Sequence, residues 1–524
     1  MRRWEHERTG HRYDDMTSRI GLRSTGLTVF GGYIFSAFTG LLFLIMAARW
    51  LPPAQLGLWE VIIDLVTFSS YPLGIVTYWT TRDIARGRLV GRTSFAAGMA
   101  MSVLGLLLYF VVSIVTRSSR AGQAAASFLP FLLGSLLVPL SYFNAVTTSI
   151  VAGYRPAVQG YQLFVSEPVK IVVAYEALYV YNLGVEGVIL GLLASYLINS
   201  TFGAYMVRGA TREQLQLSVA KRWLRRSWLP VVNSLPSLLL IADTYIASLG
   251  FGTAIAGVYQ PAFTVASIVG YSFYLAYALY PLLLRGGNET LPAIIIEFLL
   301  LFSIPMAVGG VVLAQPILHL FGAKYLAGSL GLSILSVMFL FQAVSLTVDQ
   351  TLRGTEKVDT GDEKGFKSLM RSNLLYVPLV NLCAALVYLV SMFTVLSFAF
   401  ANGLGNSAAV ALWAAVQLCT TVFFLIIKGR RASRSAKLVR AGSPVPYYLG
   451  AAAVMGIALT LLSGVLLASS AGTLVYGLKL CATIALRGTI YFGLLYAVEP
   501  RFRVMARSLL GQNHLQASSA APEL

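Results

Sequence analysis

The sequence predicts an all-α polytopic membrane protein with about 14 transmembrane helices. Three observations predict it. Hydrophobic residues make up 57% of the 524 positions, and mean hydropathy is +0.73. Charged residues make up only 11%, too few to clothe a soluble protein of this length. The apolar residues fall in long uninterrupted runs. A span needs about 20 mostly apolar residues to cross about 30 Å of hydrocarbon. Backbone groups in lipid must be paired within the span, and long runs meet that demand as helices.

The opening hairpin sets the pattern. An apolar run ends at Arg49, the turn Trp50-Leu51-Pro52-Pro53 follows, and a second run carries Glu60 and Asp64 before a basic loop ending at Arg92. Spans are expected at 24–48, 57–80, 93–115, 127–150, 158–180, 187–207, 227–250, 254–284, 291–313, 326–349, 373–396, 407–427, 447–469 and 473–497. The run 254–284 is long enough to be tilted, or bent near Pro261. The first run is too long for a signal-peptide core and lacks a clean cleavage site, so it reads as a retained span.

The basic residues sort by side. With the N-terminus inside, 32 of the 39 Lys and Arg fall in inside segments. Arg49, Arg117, Arg120 and Lys324 fall outside, and Lys170, Lys479 and Arg487 lie within spans. This is the positive-inside pattern, and it puts both termini in the cytoplasm of a multi-pass cytoplasmic-membrane protein. It also accounts for the net charge of +18: basic loops face an anionic leaflet, and no basic soluble module is present to bind nucleic acid. The loops leave no room for a soluble domain. Segment 350–372 reads as a solvated connector and the tail after Arg507 as disordered. Cys383, Cys419 and Cys481 all fall inside apolar runs, where buried packing is expected. Their spacing supports neither a disulfide framework nor a metal site.

An internal echo suggests how the spans are grouped. Gly57-Leu58-Trp59 and Gly257-Val258-Tyr259 lie 200 residues apart, and each enters an outside-to-inside helix. Ala47 and Ala247 align at the same offset. Six helices separate the starts of the two units, so they read as parallel repeats. The expected organisation is a cytoplasmic segment 1–23, an N-lobe 24–207, a basic inter-lobe loop 208–226, a C-lobe 227–427, a basic loop 428–446, two further helices over 447–497 and a cytoplasmic tail 498–524.

At the level of motifs the chain resembles polysaccharide-export flippases. The residues that carry the resemblance are Arg49, Leu51, Pro52 or Pro53, Gly57, Gly74, Arg82 and Ala85, then Asp243, Gly257, Tyr259 and Tyr280-Pro281, and finally Phe321, Gly322 and Tyr325. Their order and spacing resemble Wzx-like O-antigen and repeat-unit transporters of the MOP superfamily, which also holds MurJ-type lipid II flippases and MATE exporters. The resemblance covers roughly residues 20–430. It implies two six-helix lobes around a central cavity, alternating access, and a polyprenyl-(di)phosphate-linked oligosaccharide as substrate. Membrane lipids and other glycan-assembly membrane proteins are the implied partners.

Intramembrane charges are costly and mark function by default. Arg487 lies mid-span and reads as a phosphate-binding cation or as half of a structural ion pair. Lys479 is near enough to an end to snorkel. Glu167 and Lys170 share a helix face, either neutralising each other or touching substrate. Pro168 between them is placed to break that helix. Glu60 and Asp64 also share a face, and Asp243 lies at similar depth. Such carboxylates can take up H⁺, or bind Na⁺ with neighbouring oxygens, and so couple transport to a gradient. The alternative is an outer gate in which Arg49 pairs with Glu60. Glu297 and Asp349, near inner ends, read as interfacial.

Other classes fit less well. A MATE-like cation-coupled exporter wants an acidic, aromatic cavity, whereas several deep cations are present here. A polytopic glycosyltransferase or ligase needs a catalytic constellation on its outer loops. Here those loops are short and nearly free of acids, with His319 the lone histidine. No Walker motif is present to hydrolyse ATP. The expectation is a transporter rather than an enzyme, with no cofactor or metal beyond a coupling ion.

Overall fold

A computed structural model describes residues 22–276 except 126, together with 279, 283, 288–355, 372–440, 442–467 and 472–509. Segment 1–21, the Tyr280-Pro281 signal, most of the connector 350–372 and the tail from 510 lie outside the described residues. The chain divides into two compact units, Met1–Gln260 and Pro261–Leu524.

The first unit contains α1 (Leu22–Trp50), α2 (Pro53–Ser70), α3 (Leu73–Ala85), α4 (Gly91–Arg117), α5 (Leu129–Tyr154), α6 (Val158–Tyr175), α7 (Val185–Met206), α8 (Leu217–Arg225) and α9 (Trp228–Phe251). It ends within α10 (Thr253–Gly270). Helix α5 is the hub, packed against α2, α3, α4 and α7, and α6 fits between α1 and α7. The second unit holds α11 (Leu291–Val312), α12 (Ser329–Gly354), α13 (Asn373–Ala401), α14 (Asn406–Ala432), α15 (Val445–Leu467), α16 (Thr473–Val498) and α17 (Pro500–Leu509). There α12 packs on α11 and α14, while α15 and α16 pair beside α11. Tyr491, Leu301, Ile304, Ala452 and Met455 form the core of that corner.

Among the described residues eleven helices are long and apolar enough to cross a membrane, or twelve if the bent pair α2–α3 is one span. The other two expected spans are also helical. Val445–Ala458 of α15 is apolar but short. Helix α6, extended by a π-helical turn at Glu176–Val180, carries Glu167 and Lys170.

Helix α4 shows the membrane logic directly. Its buried face is Gly98, Ser102, Gly105, Tyr109, Ser113 and Thr116. Its outward face is Val103, Leu104, Leu107, Val111, Ile114 and Val115, each about three-fifths exposed. Lipid is as apolar as leucine, so small residues face the bundle and allow close packing. Hydroxyls join helices across it: Tyr109 donates to Phe131 O at 2.9 Å, and Tyr142 donates to Ser69 O at 2.9 Å.

Four expectations need correcting. The span at 57–80 is two helices bent by 60°. The break falls at Tyr71-Pro72, because proline has no N–H to continue the ladder and clashes with the preceding turn. Helix α6 runs unbroken through Pro168. Helix α10 runs through Pro261 and changes to a 3₁₀ helix only at Tyr271. The three cysteines are free thiols on exposed faces of their helices rather than in the core.

The 200-residue echo has a structural counterpart. A Cβ on Gly57 would lie 1.9 Å from Thr253 O, and one on Gly257 would lie 1.8 Å from Pro53 O. Each glycine presses on the carbonyl of the residue that starts the other's helix. Ala47 and Ala247 are both fully buried.

Candidate functional site

Helices α2 and α9 bring three carboxylates together. Glu60 and Asp64 lie one turn apart on the buried face of α2, at 7% and 6% exposure. Asp243 of α9 is equally buried at 6%. Asp64 lies beside Thr244 and within electrostatic reach of Glu60 and Asp243. Asp243 Oδ1 in turn accepts from the Thr244 N–H at 2.6 Å and hydroxyl at 3.1 Å. Asp64 Oδ2 is sealed from solvent with no hydrogen-bond donor. A buried carboxylate oxygen left in that state is expensive, and binding a proton or a small cation relieves the cost. Among the described residues no three His, Cys, Asp or Glu side chains are placed to hold a metal ion.

Glu167 and Lys170 of α6 form an ion pair at 2.5 Å. Both are buried. Ser36 donates to Glu167 Oε1 at 2.9 Å and Thr39 donates to Oε2 at 2.7 Å. The Lys170 ammonium also lies 5.3 Å from the centre of the Phe43 ring. The pair is thus neutralised along its own helix and tied to α1.

Arg49 stands at the end of α1, near the Tyr179 phenol. Tyr179 stacks on Tyr175 and donates to Met46 O, which fixes this aromatic corner. Arg487 lies in the second unit, on α16, and is almost wholly buried at 1% exposure. Tyr491, one turn on, donates to Leu301 O at 2.9 Å and holds α16 to α11.

Three polar clusters went unforeseen. Asp349 of α12 pairs with Lys428 of α14 at 2.9 Å, and Asn381 of α13 bridges them, donating to Asp349 Oδ2 and accepting from Lys428. Asp349 is therefore a buried ion-pair partner. The polar Asn381 within an apolar run was the available signal. Glu297, also buried, accepts from Arg440 at 2.8 Å. Asp83 of α3 accepts from the Trp223 indole at 2.9 Å and from Arg222 at 3.2 Å, which docks α8.

No family model matches the chain, and no characterised protein matches it by sequence. Solved structures do match. Lipid II flippase MurJ in an inward closed conformation superposes with a TM-score of 0.57 at 12% identity, covering 90% of this chain and 99% of that one. An inward-facing multidrug resistance MATE family transporter of the MOP superfamily gives 0.56 at 14% identity, covering 76% and 95%. A MATE protein in the bent conformation gives 0.51 at 15% identity, covering 78% and 95%. The chain is an all-helical multi-pass membrane protein whose fold is similar to that of these transporters.

Proposed function

We propose that this protein carries a polyprenyl-(di)phosphate-linked oligosaccharide across the cytoplasmic membrane by alternating access. The observation that carries the reading is the reach of the fold match: it runs through 90% of this chain and nearly all of a lipid II flippase, whereas the MATE matches leave about a quarter of this chain uncovered. The chemistry of such a substrate fits an intramembrane site with cations. Its pyrophosphate and sugars are costly in hydrocarbon, while its tail is at home there. Within the first unit, Arg49 and the Glu167–Lys170 pair are proposed as head-group contacts, the head group exchanging for Glu167 at Lys170; Arg487 of the second unit is proposed, by itself, as a further phosphate-binding cation. The Glu60, Asp64 and Asp243 cluster is proposed to bind the coupling ion, H⁺ or Na⁺. The positive-inside pattern supports cytoplasmic termini.

A second reading is a MATE-like exporter of small molecules. The same three carboxylates favour it, since a buried acidic cluster also suits an organic cation. Deleting the gene separates the two. A flippase leaves lipid-linked oligosaccharide accumulated on the cytoplasmic leaflet. Normal surface glycan with altered drug tolerance would select the exporter instead.

A further inference from the structure

Helix α8 packs against α3 and α4, and its sides are sharply divided. Val219 and Trp223, one turn apart, are buried. Asp83 holds the Trp223 indole and Arg222, and the Gln216 N–H donates to Thr93 in the first turn of α4. The chain just before α8 is equally tight: a Cβ on Gly91 would come 2.5 Å from Ala210 O. The depth of α8 at the end of α3 and α4 is therefore fixed. Facing away from that dock, Leu217 and Leu224 are 64% and 57% exposed. Seven residues apart, they form one stripe on the helix. Lys221 and Arg225, both exposed, flank it. Segment 208–226 carries six basic residues and one acid. Beside it, Tyr205 at the end of α7 is 63% exposed with Arg208 over its ring.

We propose that α8 is an anionic-phospholipid binding surface. Leu217 and Leu224 enter the acyl boundary, and Lys221 and Arg225 take lipid phosphates, as an interfacial helix of this composition does. A water-facing helix would not present two leucines beside a basic flank, and a purely apolar partner would leave Lys221 and Arg225 unmatched. The inference does not rest on the transport reading.

The test uses the full-length protein with Cys383, Cys419 and Cys481 replaced by alanine and Leu224→Cys carrying an environment-sensitive fluorophore. It is reconstituted in phosphatidylcholine vesicles with and without phosphatidylglycerol. The expected result is blue-shifted emission that brominated phosphatidylglycerol quenches. Lys221→Gln with Arg225→Gln should weaken anionic-lipid binding by about thirtyfold while leaving thermal unfolding unchanged. Water-like emission in anionic vesicles would overturn the proposal. So would shielding without lipid quenching, which means a protein covers the helix, or binding equal in neutral and anionic vesicles.

Discussion

Asp64 and Lys170 are both buried, yet their surroundings assign them different work. Lys170 is matched: its charge meets Glu167, whose oxygens also take Ser36 and Thr39. Removing one member of such a pair strands the other. Lys170→Met or Glu167→Gln should each lower stability by about 3 kcal/mol, and the double variant should lose less than the sum. Unfolding in detergent measures this, and additive losses would refute the coupling. Asp64 is not matched at Oδ2. Asp64→Asn or Asp243→Asn should leave the fold intact and abolish the response of transport to an imposed ion gradient. The measurement is flux in proteoliposomes with and without the gradient; an unchanged response would remove these acids from coupling. The three-residue spacing of Glu167 and Lys170 was legible in the sequence, because one helix turn sets it. Ser36 and Thr39 were not, since they come from a helix more than 120 residues away. The cysteines misled for a related reason. A residue facing lipid and one facing the core are equally apolar, so hydropathy alone cannot tell them apart.

Among the elements, α2 and α10 meet backbone to backbone at Gly57 and Gly257. Carbonyl oxygens lie where side chains at Gly57 and Gly257 would begin. Backbone cannot swing aside as a side chain can, so Gly57→Ala or Gly257→Ala must push the helices apart. Each substitution should cost about 1–3 kcal/mol, with the pair less than additive because the first separation makes room for the second. Gly74→Ala, where nothing lies within 4 Å, is the control and should be near neutral. A loss at Gly74 equal to that at Gly57 would refute the close contact as the cause, since helix propensity by itself favours alanine. The two Gly-aliphatic-aromatic motifs were readable in the sequence. Their meaning, as motifs pressed on each other, needed coordinates. Prolines were read unevenly because their effect depends on neighbours. Pro72 breaks its helix, whereas Pro168 and Pro261 are carried within continuous ones.

At the scale of the whole molecule, composition and run length were enough for an all-helical multi-pass protein, since lipid leaves few other choices. The number of crossings turns on α2 and α3. A broken span and a re-entrant loop differ in whether the second arm advances or returns. Helix α2 has 18 residues and α3 has 13, so their lengths are about 27 Å and 20 Å. A 60° bend keeps half of the second length along the first axis. Together the pair advances about 37 Å, more than the roughly 30 Å of hydrocarbon. A re-entrant arm would have to bend past a right angle. The pair should therefore cross, and its ends should face opposite compartments. Cysteines placed at Gln55 and at Arg88, in a background lacking the three native thiols, test this with a membrane-impermeant maleimide. Gln55→Cys should label from the outside of sealed cells and Arg88→Cys only after permeabilisation. Labelling of both from one side would make α2–α3 a re-entrant hairpin, change the parity of the spans, and put the termini on opposite faces of the membrane.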